Sequence, residues 1–276
     1  MSRLGPLSHL AIIFLLCLSA AAQIKRDVFA YKVGPHPVIS VRNQYGRITV
    51  TPTAIDRVVA TVVHSDAVEI VRTQSENRVE LITGSQVASG AKADNVDYQV
   101  LVPPDACVIL STAAGALSAE NLEGDLIFEG TTASVDAHSL RNAHVHVKTL
   151  SGSITLRDIR NGYVEVATAS GDVSLQDVSG PMIQVHSGTG AIRYLGDPGH
   201  GFFKLASGTG NIDVAVPSAG MARFKARSVK GKVDRRTLGA QLAAIPTPGT
   251  ALLHPALASF EIHSLRGNIS LREASK

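Results

Sequence analysis

ASVDAHSLRNAHVHVKTLSGSITLRDIRNGYVEVATASGDVSLQDVSGPMIQVHSGTGAIRYLGDPGHGFFKLASGTGNIDV, residues 133–214, repeats a short apolar and glycine pattern at an almost fixed interval. Gly152, Gly171, Gly190 and Gly210 head successive units and lie 19, 19 and 20 residues apart. Two residues after each stands Ile154, Val173, Ile192 or Ile212, and two further on Leu156, Leu175, Tyr194 or Val214. Such i, i+2 pairs mark one face of a short strand. Ile159 and Val178 follow, then Asn161 and Gly180, residue types that tolerate the left-handed backbone of a tight corner. A second pair completes the unit: Val145 and Val147, Val164 and Val166, Ile183 and Val185, Phe203 and Leu205. Each unit reads strand, corner, strand, corner.

The columns extend outward in both directions. Backwards they pass through Val135 and Ala137, then Leu117 and Ala119 with Leu126 and Phe128. Forwards they pass through Phe224, Ala226 and Val233, and resume at Phe260, Ile262, Ile269 and Leu271. A 19-residue unit cannot bury its own apolar face, whereas stacked copies can, with strands about 4.8 Å apart and inward columns forming one narrow core. The expected fold is all-β: a parallel β-solenoid, or β-helix-like roll, with coils of about 19 residues and right-handed winding.

Residues 1–22 read as a signal peptide: Arg3, an apolar run from Leu10 to Leu18, and small residues Ala20-Ala21-Ala22 before Gln23. The apolar run is shorter than the 18 or so residues of a membrane span, and no later stretch replaces it. Loss of the leader leaves 25 basic against 23 acidic residues, a balance that argues against nucleic acid as a partner. The densest basic patch is Arg223, Lys225 and Arg227 with Lys230, Lys232, Arg235 and Arg236; on an alternating strand the first three face solvent. Only Cys107 survives signal removal, so no intrachain disulfide is available, and it reads as a small buried apolar residue.

Residues 23–104 form an expected strand-rich capping region. Ile39, Val41, Gly46, Ile48 and Val50 match one repeat, and the runs up to Val102 read as antiparallel strands ending at Pro103-Pro104. A cap has a physical task, because an uncovered last coil exposes apolar columns and unpaired strand edges. Residues 105–276 are the expected solenoid, interrupted at 237–259 by an inserted loop with Pro246, Pro248, Gly249 and Pro255 and room for a short helix at Leu238–Ala244.

Registering the columns places outer side chains beside each other. His144, Tyr163, Met182 and Phe202 form one ladder, and His146, Glu165, Gln184 and Lys204 a second; both are candidate contact surfaces. His144, His146 and Glu165 have metal-capable chemistry, but alternate residues on a strand stand about 7 Å apart, wide for shared coordination. No metal, cofactor or catalytic residue is assigned. Asp158 and Asp177 occupy neighbouring rungs of a corner column in which Asn121 and Ser139 precede them, so they read as turn residues.

NQYGRITV near the start, VDYQVLVPPDACVILSTAAGALSAENLEG in the middle, and TLSGSITLRDI and TASGDVSLQDV later resemble the bacterial putative-adhesin family of repetitive β-strand domains. The resemblance runs from about Val38 to Leu271 and implies an exported or envelope-associated protein with strand-turn-strand units. The functional expectation is a non-enzymatic adhesin-like or structural envelope protein contacting protein or glycan in the periplasm, cell envelope or outside. The alternatives are a polysaccharide lyase or hydrolase on a parallel β-helix, and an envelope sensor or assembly partner.

Overall fold

The computed structural model of the chain describes residues 24–84, 95–218, 222–237 and 258–274. The expected leader at residues 1–22 and most of the expected insertion at 237–259, including the expected helix at Leu238–Ala244, lie outside the described residues. Among the described residues the elements are all strands. β1 (Ile24–Lys32), β2 (Val38–Pro52), β3 (Arg57–Ser65), β4 (Ile70–Ser75), β5 (Arg78–Thr83) and β6 (Asp97–Val102) come first. β7 (Cys107–Glu120) and β8 (Leu126–Arg141) are long strands that turn a corner without interruption. From β9 (His144–Thr149) the corners separate the strands: β10 (Ile154–Arg160), β11 (Tyr163–Thr168), β12 (Val173–Val178), β13 (Met182–Ser187), β14 (Ile192–Leu195), β15 (Phe202–Ser207) and β16 (Ile212–Val216). β17 (Ala222–Ser228), β18 (Val233–Thr237), β19 (Ala258–Ser264) and β20 (Ile269–Glu273) complete the chain.

The structure is a parallel β-solenoid with two sheet faces. On the head face, reached after each head glycine, Val135, Ile154, Val173, Ile192 and Ile212 pair rung to rung. On the back face Leu126, Val145, Val164, Ile183 and Phe203 do the same. These inward columns are almost fully buried and line a single core. β-branched side chains dominate them because they fit a pleated surface packed on its inner side. Towards the C-terminal end aromatic rings fill the core: Phe203 stacks on Phe260 with centroids 4.3 Å apart, and Tyr194 meets Phe203 edge-on at 5.2 Å.

Chain order and stacking order part company at both ends. β2 pairs in parallel with β7 on one side and with β5 and β6 on the other, so the earliest rung in sequence lies inside the stack. Two strands expected to be antiparallel to their neighbours throughout, β5 and β6, therefore complete a rung beneath β2. Antiparallel pairing is confined to the outermost strands: β3 with β6, β1 with β3, and β4 with β5. At the other end β19 lies between β15 and β17, and β20 between β16 and β18. The last rung in sequence is thus the second from the end in space. β18 and β19, consecutive in the described chain, lie in different rungs.

Two kinds of corner make the path possible. In the first, Asn121, Ser139, Asp158 and Asp177 adopt φ of 55°, 56°, 46° and 51°, followed by Gly196 at 137°. Short polar side chains and glycine are the residues that tolerate this left-handed backbone. In the second, a hydroxyl three residues before the head glycine organises the turn. The Oγ atoms of Thr168, Ser207, Ser264 and Ser228 accept from the amides of Gly171, Gly210, Gly267 and Gly231 at 2.8–2.9 Å. Ser187, Ser207 and Ser228 in turn donate to the Gly171, Gly190 and Gly267 carbonyls of the neighbouring rung. From Thr149 through Thr168, Ser187 and Ser207 to Ser264 the column is paired in register and buried, and Ser228 continues it half-buried on the last rung. Head glycines are required because a Cβ on Gly190 or Gly210 would overlap the carbonyl oxygen of the glycine one rung below.

Candidate functional site

The two expected ladders lie side by side on the outer surface of the back face. β9, β11, β13 and β15 pair so that His144, Tyr163, Met182 and Phe202 are successive partners, as are His146, Glu165, Gln184 and Lys204. The alternation of each strand aims Val145, Val164, Ile183 and Phe203 inward and leaves these eight outward. The first ladder ends at Ser259 and Arg223 on the last two rungs, the second at Glu261 and Lys225.

The surface is partly apolar. Tyr163 is 48% exposed and Met182 40%, and His144 packs edge-on against the Tyr163 ring with centroids 4.8 Å apart. Their side chains, with His146, Glu165 and Gln184, outline a shallow groove of about 260 Å³. Gln184 Nε2 donates to the Met182 sulfur at 3.1 Å, tying the two ladders together. The paired rungs give this surface a rigid spacing of about 4.8 Å.

The histidines take different carboxylates. His144 Nδ1 stands 3.6 Å from Asp125 and His146 Nδ1 3.4 Å from Glu165, one on each neighbouring rung. The imidazoles therefore do not converge on a shared point, and among the described residues no group of three or more metal-capable side chains forms. Asp158 and Asp177 sit at the left-handed corner, where Asp158 accepts from Arg160 Nε at 2.9 Å. Their residue type is explained by backbone conformation.

Cys107 differs from the expectation of a fully buried residue. It is half-buried on the outer side of β7, because inward positions there belong to Val108 and Leu110. Burial and the neighbouring Asp125 charge push its thiol up, which disfavours the nucleophilic thiolate.

Several polar clusters escape a reading of columns alone. On the head face Arg157 grips Asp136 with two contacts of 3.0 Å, while His138 reaches Glu120 at 2.8 Å and Asp136 at 3.1 Å. Further along, Thr155, Ser174, Arg193, Asp213 and Arg272 line a groove of about 510 Å³, with Arg272 bidentate on Asp213 at 3.1 and 3.2 Å. The signal for both is the outward i, i+2 positions of the first strand in each unit. At the N-terminal end, Lys25 hydrogen-bonds Asp27 and, with buried His64 beside it, holds that carboxyl below the usual range. At the other end His263 and Lys225, each 3.2 Å from Glu261, do the same for its carboxyl.

No curated protein matches the sequence. The chain is similar to solved structures of proteins named as adhesins: one from Bacteroides fragilis NCTC 9343 is 13% identical, with TM-score 0.42, covering 90% of this chain and 97% of its own. One from Parabacteroides merdae ATCC 43184 is 11% identical, with TM-score 0.39, covering 91% and 97%. A protein named for cell adhesion, from Clostridium sporogenes ATCC 15579, is 11% identical, with TM-score 0.33, covering 91% and 100%. The family model described as Toastrack DUF4097 matches residues 38–244, from the first strand of the internal rung β2 into the insertion. That span takes in the head glycines, both corners and most of the inward columns, and the chain belongs to the Toastrack DUF4097 family.

Proposed function

We propose that the chain is an exported, non-enzymatic, adhesin-like envelope protein, and that its back-face ladders contact protein or glycan. The observation that carries this reading is the row of outward side chains from His144 to Phe202, flanked by the row from His146 to Lys204. A solvated sheet face is ordinarily polar along its whole length. Here Tyr163 and Met182 remain substantially exposed in the middle of it, beside hydrogen-bonding groups at fixed spacing. Aromatic and thioether side chains on a rigid support bind with little loss of conformational freedom, and repetition along rungs adds weak contacts multiplicatively. Leader cleavage near Ala22 places the mature chain in the periplasm, in the envelope or outside the cell.

The test is a glycan array and an envelope-protein pull-down with residues 23–276, compared with a Tyr163→Ala/Met182→Ala variant. Binding to an envelope component that falls at least tenfold in the variant, with the melting temperature unchanged, supports the reading. Equal retention by both proteins, or retention by neither, overturns it.

A further inference from the structure

The spatially last rung, β17 and β18, is charged unlike the rest of the chain. Residues 223–236 contain seven of the 26 basic residues and one of the 23 acidic ones, which leaves 19 against 22 everywhere else. The positive charge of the chain therefore sits on one rung at one end of the stack. Arg223, Lys225 and Arg227 alternate along β17 on its exposed side, about 7 Å apart. Lys230 and Lys232 stand exposed at the corner, and Arg235 is exposed on β18, where it reaches the Ala226 carbonyl at 3.4 Å. Lys225 has Glu261 at 3.2 Å; no described carboxylate lies within ion-pair distance of Arg223, Arg227, Lys230 or Lys232.

Edge protection accounts for only part of this. A few Lys or Arg side chains and a bulge discourage strand addition, and β18 already carries an irregularity between Asp234 and Thr237. Lys230 and Lys232 lie at the corner rather than along a strand edge, and massed like charge destabilises a fold through self-repulsion. Beside them two aliphatic side chains point into solvent on adjoining rungs: Val229 is 60% exposed and Leu265 61%, joined through the Val229 amide on the Ser264 carbonyl at 3.0 Å. Aliphatic tips rimmed by cations match the boundary between headgroups and acyl chains of a bilayer. A soluble polyanion engages the cations alone.

We infer that this terminal rung docks the solenoid to a bilayer rich in anionic phospholipid. The site takes in the terminal rung of the back-face ladders, at Arg223 and Lys225, and lies rungs away from Tyr163 and Met182.

The experiment is co-sedimentation of residues 23–276 with phosphatidylcholine vesicles with and without phosphatidylglycerol. Anionic vesicles are expected to bind at least tenfold more tightly, with the advantage shrinking as ionic strength rises. Lys230→Glu/Lys232→Glu is expected to weaken binding by roughly 20-fold or more, since each cation near an anionic surface contributes about fivefold. Val229→Ser/Leu265→Ser is expected to weaken vesicle binding while leaving binding to soluble dextran sulfate unchanged. All four positions are exposed, and unchanged melting temperatures establish that the variants fold. Equal binding to both vesicle types, or no loss in the lysine variant, overturns the inference. So does dextran sulfate binding at least as tight as vesicle binding with no effect of the aliphatic variant, which assigns the rung to a polysaccharide.

Discussion

Ala133 occupies the space that a side chain on Gly130 would need: a Cβ built at Gly130 falls 2.7 Å from the Cβ of Ala133. Apart from Asn43 and Gly46 in β2, the corner elsewhere in the described stack carries a hydroxyl residue followed three positions later by glycine, as in Thr149 and Gly152 or Ser207 and Gly210. In the rung at Gly130 the small and the larger residue have exchanged places. A single restoration fails where a double one succeeds. Gly130→Ser alone is expected to cost about 1–3 kcal/mol by overpacking. Combined with Ala133→Gly it regains the hydroxyl-to-amide bond, with a coupling of about 1–3 kcal/mol in a double-mutant cycle read by urea unfolding. Additive effects of the two changes would remove this account of the exchange.

The hydroxyl column itself is open to a simpler test. Ser207 accepts from the Gly210 amide at 2.9 Å in a part-buried bond and donates to the Gly190 carbonyl at 3.1 Å in a buried one. Ser207→Ala leaves both groups without that partner and is expected to cost about 1–3 kcal/mol in chemical denaturation. Ser207→Thr is expected to cost less than about 1.5 kcal/mol, because threonine already holds this column at Thr149 and Thr168. Equal losses in both variants would show that volume, rather than the hydroxyl, matters there.

That column marks a boundary of what the sequence makes legible. The pairing of Val145, Val164 and Ile183 follows directly from the spacing, because an inward column must be apolar in every rung. The serine or threonine before each head glycine draws the eye, yet Ser151 and Ser170 are turn residues near the surface, and the hydroxyl that closes the corner stands two positions earlier. A hydroxyl among apolar neighbours carries no periodic signature of its own role. Stacking order is hidden for a different reason: Phe203, Phe260 and Phe224 are equally apolar, so their pattern does not say which is in the middle. The candidate ladders follow from the same register as the core.

Alkaline conditions should unfold the protein through its tyrosines. Burial pushes the Tyr98 phenol up to about 12. Tyr31 and Tyr194 are raised as well, chiefly by desolvation. Above pH 10 the unfolded chain has lost phenolic protons that the folded chain keeps, so stability is full below about pH 10 and falls as pH rises towards 12. For Tyr98 the loss is about 2–3 kcal/mol across that window. Urea unfolding at increasing pH, with phenolate absorbance as a second probe, should show ionisation and unfolding rising together; free ionisation of every tyrosine in the folded protein would contradict this.

Tyr98 belongs to a polar cluster that ties the N-terminal rungs together. Thr83 donates to Asn43 Oδ1 at 2.9 Å, so the Tyr98 hydroxyl, 2.8 Å away, donates to Thr83. Asn43 Nδ2 completes the set on the carbonyls of Val96 and Tyr45. Thr83→Val is expected to cost about 1–3 kcal/mol by leaving buried donors and acceptors unmatched. With Tyr98→Phe added, the second loss should be smaller than Tyr98→Phe causes alone. A second loss of full size would mean that the two hydroxyls act independently.

The inverted order of the last two rungs leads to a test in which the shorter protein is the sturdier. In an ordinary stack, cutting from the C-terminus shaves rungs one at a time. Here truncation after Thr237 removes β19 and β20 from between their neighbours, leaving β15–β16 and β17–β18 two rung spacings apart. Phe203, Leu205, Ile212 and Val214 then lose the partners above them, while Phe224, Ala226 and Val233 lose those below. Each buried aliphatic or aromatic side chain contributes about 1.5–3 kcal/mol, so the gap is costly. Truncation after Ser218 removes both rungs and leaves a single clean end. The protein ending at residue 218 is expected to melt several degrees above the one ending at residue 237, with stronger amide protection in β15 and β16. A longer fragment that is equally stable would mean that β17 and β18 have moved into the vacated level. Their inward residues match the column, so the internal position of β19 and β20 would then be a choice of register rather than a requirement of the core.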